Sequence, residues 1–150
     1  MSDQFIRGFQ GDYRWLSSFW MSEFIHEEKL WASVEHYYQA SKATNQADAD
    51  MVRQLSRPGK AKRAGRAIKV RADWDIIKDE IMLRGVRAKF QQNQGLADKL
   101  LATGDAELIE ENQWGDVYYG TCQGYGENRL GKILMRVREE LKESQWKELR

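Results

Sequence analysis

The stretch SVEHYYQASK, residues 33–42, sets a carboxylate, an imidazole, two phenols, an amide and an amine within ten positions. If Ser33 caps a helix running to about Thr44, then Glu35, Tyr38, Gln39 and Lys42 fall at i, i+3, i+4 and i+7 and share one face. That face carries an acid or base, two hydrogen-bonding groups and a cation. Val34, Tyr37 and Ser41 fall on another stripe, available for packing. A purely structural account competes. Just after a serine cap, a carboxylate gains about 0.3–1 kcal/mol from the helix dipole, and a lysine near the far end gains for the opposite reason. Spacing alone does not choose between them.

Two further stretches carry chemistry. RPGKAKRAGRAIKVR, residues 57–71, holds seven basic side chains and no acidic one. On a helix Lys62, Arg66 and Lys69 recur on one face, where a phosphate could be held; a solvated face is the plainer outcome of such a run. WGDVYYG, residues 114–120, flanks Asp116 with Trp114 and the Tyr118–Tyr119 pair. An acid among rings is a place for a tuned pKa, and equally for a turn aspartate bonding its own backbone. The glycines of GYGENRLG let a ligand approach a helix N-terminus, or Gly124 and Gly126 only permit a turn that Asn128 caps. Cys122 has no activating cluster beside it in sequence and makes a poor nucleophile.

The elements that must position these groups are mostly helical. QFIRGF reads as an extended piece, and SEFIHEEKLW as a hairpin turning between His26 and Lys29. Asp48 or Asp50 would cap a helix in DADMVRQLSR, and Pro58 can open the next at its first turn. Asp73 would cap a long helix with Trp74, Ile77, Ile81, Gly85 and Ala88 on one stripe and Ile76, Leu83 and Phe90 beside it. Leu130, Ile133, Leu134, Val137 and Leu141 mark a last amphipathic helix. The region between holds a short strand and otherwise loop. The fold class expected is mainly α (α+β), one domain over residues 1–150 with a small β element near the N-terminus.

Composition narrows the function classes. The 24 basic and 23 acidic side chains leave a net charge of +1, so this is no polycation, and any phosphate contact must be local. One cysteine among 150 residues forms no internal bridge and suits a reducing compartment. Two histidines and that cysteine are poor material for zinc, and no compact acidic motif announces another ion; no metal or cofactor is expected. The opening MSDQFIRGFQ has no apolar leader, and no run approaches ~18 apolar residues. A cytoplasmic protein without a membrane segment is expected.

Taken in order, SVEHYYQASK, the Gly65–Arg66 pair, the Asp73–Trp74 pair, the Ile81–Phe90 segment, LLATGDAELIE, WGDVYYG and GENRLGKILMRVR resemble the NADAR (YbiA-like) family, from Phe5 to about Leu141. The resemblance implies a compact, mostly helical fold and N-glycosidase activity, cleaving a ribose from a nitrogenous group. Implied substrates are phosphorylated early riboflavin-pathway intermediates or ADP-ribose on a nucleobase. It makes Glu35 and Asp116 the candidate catalytic carboxylates. Lys42, Arg66 and the Gly126–Asn128 turn match positions that could hold phosphate or ribose, and Trp114 and Tyr119 would enclose the base or sugar. Ser18, Phe19, Tyr38, Gln39 and Trp74 complete the expected substrate-binding set. Two departures bear on substrate choice: LSSF puts Ser18 where the family has an amide, and Tyr119 replaces a tryptophan.

Two rival functions use the same residues. A non-catalytic module for ADP-ribose or a nucleotide would make Glu35 a positioning group. A nucleic-acid interaction domain would use residues 57–71, against the near-zero net charge.

Overall fold

The computed structural model describes residues 4–149. In chain order it contains β1 (Phe5–Arg7), a 3-10 turn (Gly11–Leu16), β2 (Phe24–His26), β3 (Lys29–Trp31), α1 (Val34–Ala40), α2 (Gln46–Arg53), α3 (Pro58–Ala67), α4 (Trp74–Gln92), α5 (Gln94–Ala102), β4 (Glu107–Ile109), β5 (Glu111–Asn112), β6 (Thr121–Cys122) and α6 (Arg129–Glu148). The expected α+β class holds. No described helix is long and apolar enough to cross a membrane. The chain forms two compact units, one from Ser18–Gln92 and the other from the described residues before and after it.

In the Ser18–Gln92 unit, β2 and β3 form the expected hairpin, with Phe24 opposite Trp31 and His26 opposite Lys29. Its turn residues Glu27 and Glu28 have φ of 52° and 66°. A two-residue turn with both φ positive matches the right-handed strand twist, a role usually given to Asn-Gly. Glutamate takes it here at a cost, because its Cβ is crowded in that region. Phe24 and Trp31 point inward, and Tyr37 of α1 meets both rings edge-on at 6.0 and 5.3 Å.

Ser33 caps α1 as expected, accepting from the His36 N–H at 3.2 Å. α1 stops at Ala40, short of Thr44; Ala43 then bridges to Val70. All seven α1 residues are buried. α1 lies against glycines on two sides: a Cβ at Gly65 of α3 would overlap Gln39, and one at Gly85 of α4 would crowd Val34 and Tyr37. α2 begins earlier than expected. Asn45 is its cap, accepting from Asp48 N–H at 2.8 Å, which places Asp48 in the first turn and Asp50 inside the helix. Pro58 opens α3. α4 buries Trp74, Ile81, Leu83, Gly85, Ala88 and Phe90, whereas Ile76 faces solvent.

In the other unit, β1 pairs in parallel with β4 (Phe5 opposite Glu107), and β5 pairs in parallel with β6. Leu130, Leu134 and Val137 of α6 are buried, as are Leu100 of α5 and Leu108 of β4. Gly131 lets α6 approach the Leu108 carbonyl, where a Cβ would clash.

Candidate active site

Glu35 is 5 % exposed, and both its oxygens are engaged. Oε1 accepts from Ser18 Oγ at 3.1 Å and Oε2 from Gln39 Nε2 at 2.7 Å. The Ser18 carbonyl also takes the Glu35 backbone N–H at 3.0 Å, satisfying a donor that the first turn of a helix leaves open. Ser18 at the family's amide position therefore binds Glu35 twice.

The neighbouring His36 is wholly buried and turned to structure. Its Nδ1 meets Ser33 Oγ at 2.7 Å and its Nε2 meets the Leu55 carbonyl at 2.8 Å. With Nε2–H donated to a carbonyl, Nδ1 is the acceptor of the serine hydroxyl. Both ring nitrogens are thereby occupied.

Lys42 stands near the carboxylate, among rings and further cations. Lys42 Nζ lies 5.9 Å from the Tyr38 ring centre and 5.8 Å from that of Trp74, and the two rings meet edge to face at 4.9 Å. These are cation–π distances. Burial pushes the Lys42 ammonium below the ordinary lysine pKa; Glu35 acts against this, while Arg66, Lys78 and Lys62 add to it. Three cations and one buried acid thus act on Lys42. Lys62 Nζ lies 5.8 Å from the ring of the exposed Phe19. Sequence reasoning found Lys42, Lys62 and Arg66 but did not single out Lys78 or Gly65 as site residues. A glycine inside a ten-residue helix was the available signal, since glycine there costs ~1 kcal/mol against alanine.

The basic run divides. Lys69 follows the end of α3, so it does not continue the Lys62–Arg66 face. Arg71 is paired with Asp73 at 2.6 and 3.1 Å, which holds the Asp73 carboxyl below the usual range. The Asp73 carbonyl accepts the N–H groups of Ile76 and Ile77 at the start of α4.

The remaining candidates belong to the other unit. Asp116 Oδ1 accepts from the N–H groups of Tyr118 and Tyr119, both at 3.0 Å. Asn112 Oδ1 accepts from Asp116 N–H at 3.1 Å, and its Nδ2 donates to the Asp116 carbonyl at 2.9 Å. Tyr119 meets Tyr118 edge-on at 4.8 Å. Trp114 is exposed and borders a cavity of about 690 Å³ with Arg7, Gln10, Glu111 and Cys122. Asn128 occupies the cap position of α6 at φ 51°, but its side chain makes no cap. Its Oδ1 accepts from Glu110 N–H and its Nδ2 donates to the Leu108 carbonyl, each at 2.9 Å. Gly126, at φ 148°, lies where a Cβ would strike the Gly120 carbonyl. Gly126 and Asn128 of that turn both serve the backbone. Among the described residues no three His, Cys, Asp or Glu side chains cluster as metal ligands would.

Known proteins share this chain's sequence and fold. The family model described as NADAR domain matches residues 4–142. "N-glycosidase YbiA" of Escherichia coli (strain K12) is 38% identical over 133 residues, covering 87% of this chain and 82% of the relative. "Riboflavin biosynthesis protein VVA0006" of Vibrio vulnificus (strain YJ016) is 40% identical over 135 residues, which are 88% of this chain and 36% of that protein. The NMR structure of the E. coli protein YbiA superposes with a TM-score of 0.89 at 35% identity, covering 97% of this chain and 89% of that one.

Proposed function

The chain belongs to the NADAR domain family, and we propose that it works as an N-glycosidase on a phosphorylated ribosyl compound, with Glu35 as the carboxylate at the reacting sugar carbon. The reaction is a hydrolysis. The C1′–N bond breaks with its electron pair going to nitrogen, the sugar passes through an oxocarbenium-like state, and water oxygen bonds to C1′. An anion fixed beside that carbon stabilises the developing positive charge, and a carboxylate can also take the proton of the incoming water. The leaving nitrogen needs a proton or a donor. Glu35 takes the first part in this reading.

The observation that carries the reading is the setting of Glu35: a buried carboxylate gripped at both oxygens, with Lys42 close enough to feel it and with Lys62, Arg66 and Lys78 close enough to feel Lys42. Such a cluster suits an anionic substrate. Lys42 and Arg66 anchor its phosphate, so that binding energy remote from the bond aligns the sugar. The Vibrio relative's name supports early riboflavin-pathway phosphates as the first substrates to try, with ADP-ribosylated nucleobases second.

Incubation with ribosylaminopyrimidine phosphates, NAD and ADP-ribosylated DNA, with mass detection of both halves, identifies the substrate. Glu35→Gln should lower turnover by ~10² or more without lowering the melting temperature. Near-normal turnover in that variant removes Glu35 from the chemistry. Binding without any released product would favour a recognition module instead.

A further inference from the structure

Gln39 lies one turn after Glu35 on α1 and is 4 % exposed. Its Nε2 donates to Glu35 Oε2, a bond strengthened by the charge on the acceptor. Its Oε1 is buried and has no hydrogen-bond partner among the described residues. A buried acceptor without a donor costs free energy, and folded proteins keep few of them. This one lies against α3, where a Cβ at Gly65 would overlap Oε1 and come within 2.8 Å of Cδ. Reversing the amide would give the carbonyl no better partner and would turn it against the Glu35 carboxylate. The orphaned oxygen is thus the counterpart of the bond on the other side of the amide. The glycine in α3 leaves room for that arrangement.

We propose that Gln39 is a positioning residue: its amide, wedged between the Gly65 backbone and Glu35, fixes the plane of the Glu35 carboxylate together with Ser18 and does not touch the substrate. The proposal rests on Glu35 being the reacting carboxylate. It departs from the sequence-based expectation that Gln39 binds substrate. A residue acting through Glu35 loses its influence when Glu35 can no longer act, whereas a substrate contact keeps it.

The test is Gln39→Met, which retains the length and removes both amide atoms. It is read in the wild type and in Glu35→Gln, using a ribosylaminopyrimidine 5′-phosphate under single-turnover conditions and in steady state. A carboxylate free to turn should lower kcat by ~10- to 100-fold, with KM changed by less than about twofold. The protein should still fold: losing the Nε2–H bond to Glu35 destabilises it, and removal of the orphaned carbonyl offsets part of that cost. In Glu35→Gln the same substitution should cost less than about twofold more. A raised KM, or a full further loss in Glu35→Gln, would make Gln39 a substrate contact and overturn the proposal. Full kcat in Gln39→Met beside an inactive Glu35→Gln would overturn it while leaving the role of Glu35 standing. Should Glu35→Gln itself retain activity, both ideas fall. Crystal structures of the wild type and Gln39→Met supply a readout that needs no substrate: a turned or disordered Glu35 carboxylate supports the proposal, and an unmoved one overturns it.

Discussion

Asp116 ties the backbone of its own loop through one oxygen, which accepts from the N–H groups of Tyr118 and Tyr119. Charge and turn geometry can be separated there. Asn in place of Asp116 keeps an acceptor for both N–H groups and removes the charge; Ala removes both. If the charge serves the reaction, Asp116→Asn should lose at least ~10-fold in turnover at an unchanged melting temperature. Full activity in Asn with loss only in Ala would leave Asp116 a loop residue. Both readings of Asp116 were legible in the sequence and stayed level, because an aspartate bonding two and three residues on needs no distant partner. Asn128 was not legible. Its amide is committed to Leu108 and Glu110, about twenty residues away, and nothing local marks that choice. Glu35 was visible as a candidate from helix spacing, but its grip by Ser18 depended on a contact seventeen residues back.

Helices are where the sequence spoke most clearly, and their edges and approaches are where it failed. The Ser33 cap and the Pro58 start follow local rules and appear, as do the buried stripes of α4 and α6 in their main positions, with Ile76 turned to solvent. α5 was missed: Gly95 weakens its first turn and Asn93 makes no side-chain cap. The parallel pairing of β1 with β4 joins three-residue strands a hundred residues apart, too short for periodicity to name the partner. Gly65 shows what an interhelical approach asks of a sequence. In Gly65→Ala the helix gains ~1 kcal/mol of propensity, set against ~1–3 kcal/mol for forcing a methyl into a filled space. The net should be a mild destabilisation of up to ~2 kcal/mol together with a loss of turnover, as the displaced Gln39 amide releases Glu35. Urea denaturation beside single-turnover kinetics would show it. A more stable, fully active Gly65→Ala would mean the amide moves without consequence.

At the scale of the whole molecule, charge is nearly balanced yet unevenly used. Lys89 of α4 is 1 % exposed, and burial pushes its pKa down to about 7, with Nζ 5.0 Å from the Phe90 ring centre. Unfolded, the same ammonium titrates near the ordinary lysine value of 10.5. Between those limits the unfolded chain binds more protons than the native one, so stability rises as pH climbs from about 7 towards 10.5 and is level below about 7, where both states are protonated. Lys89 alone should add about 2 kcal/mol from pH 7 to pH 9. Urea unfolding of the wild type should show that gain relative to Lys89→Met; parallel profiles for the two proteins would exclude it. The feature with the widest reach is nonetheless the smallest helix. α1 has only seven residues and is buried on every side, whereas a typical surface helix keeps one face for solvent. It therefore has no position at which change passes unnoticed. Random variation along this segment should sort into chains that never accumulate and chains that accumulate but idle, with few neutral replacements between them.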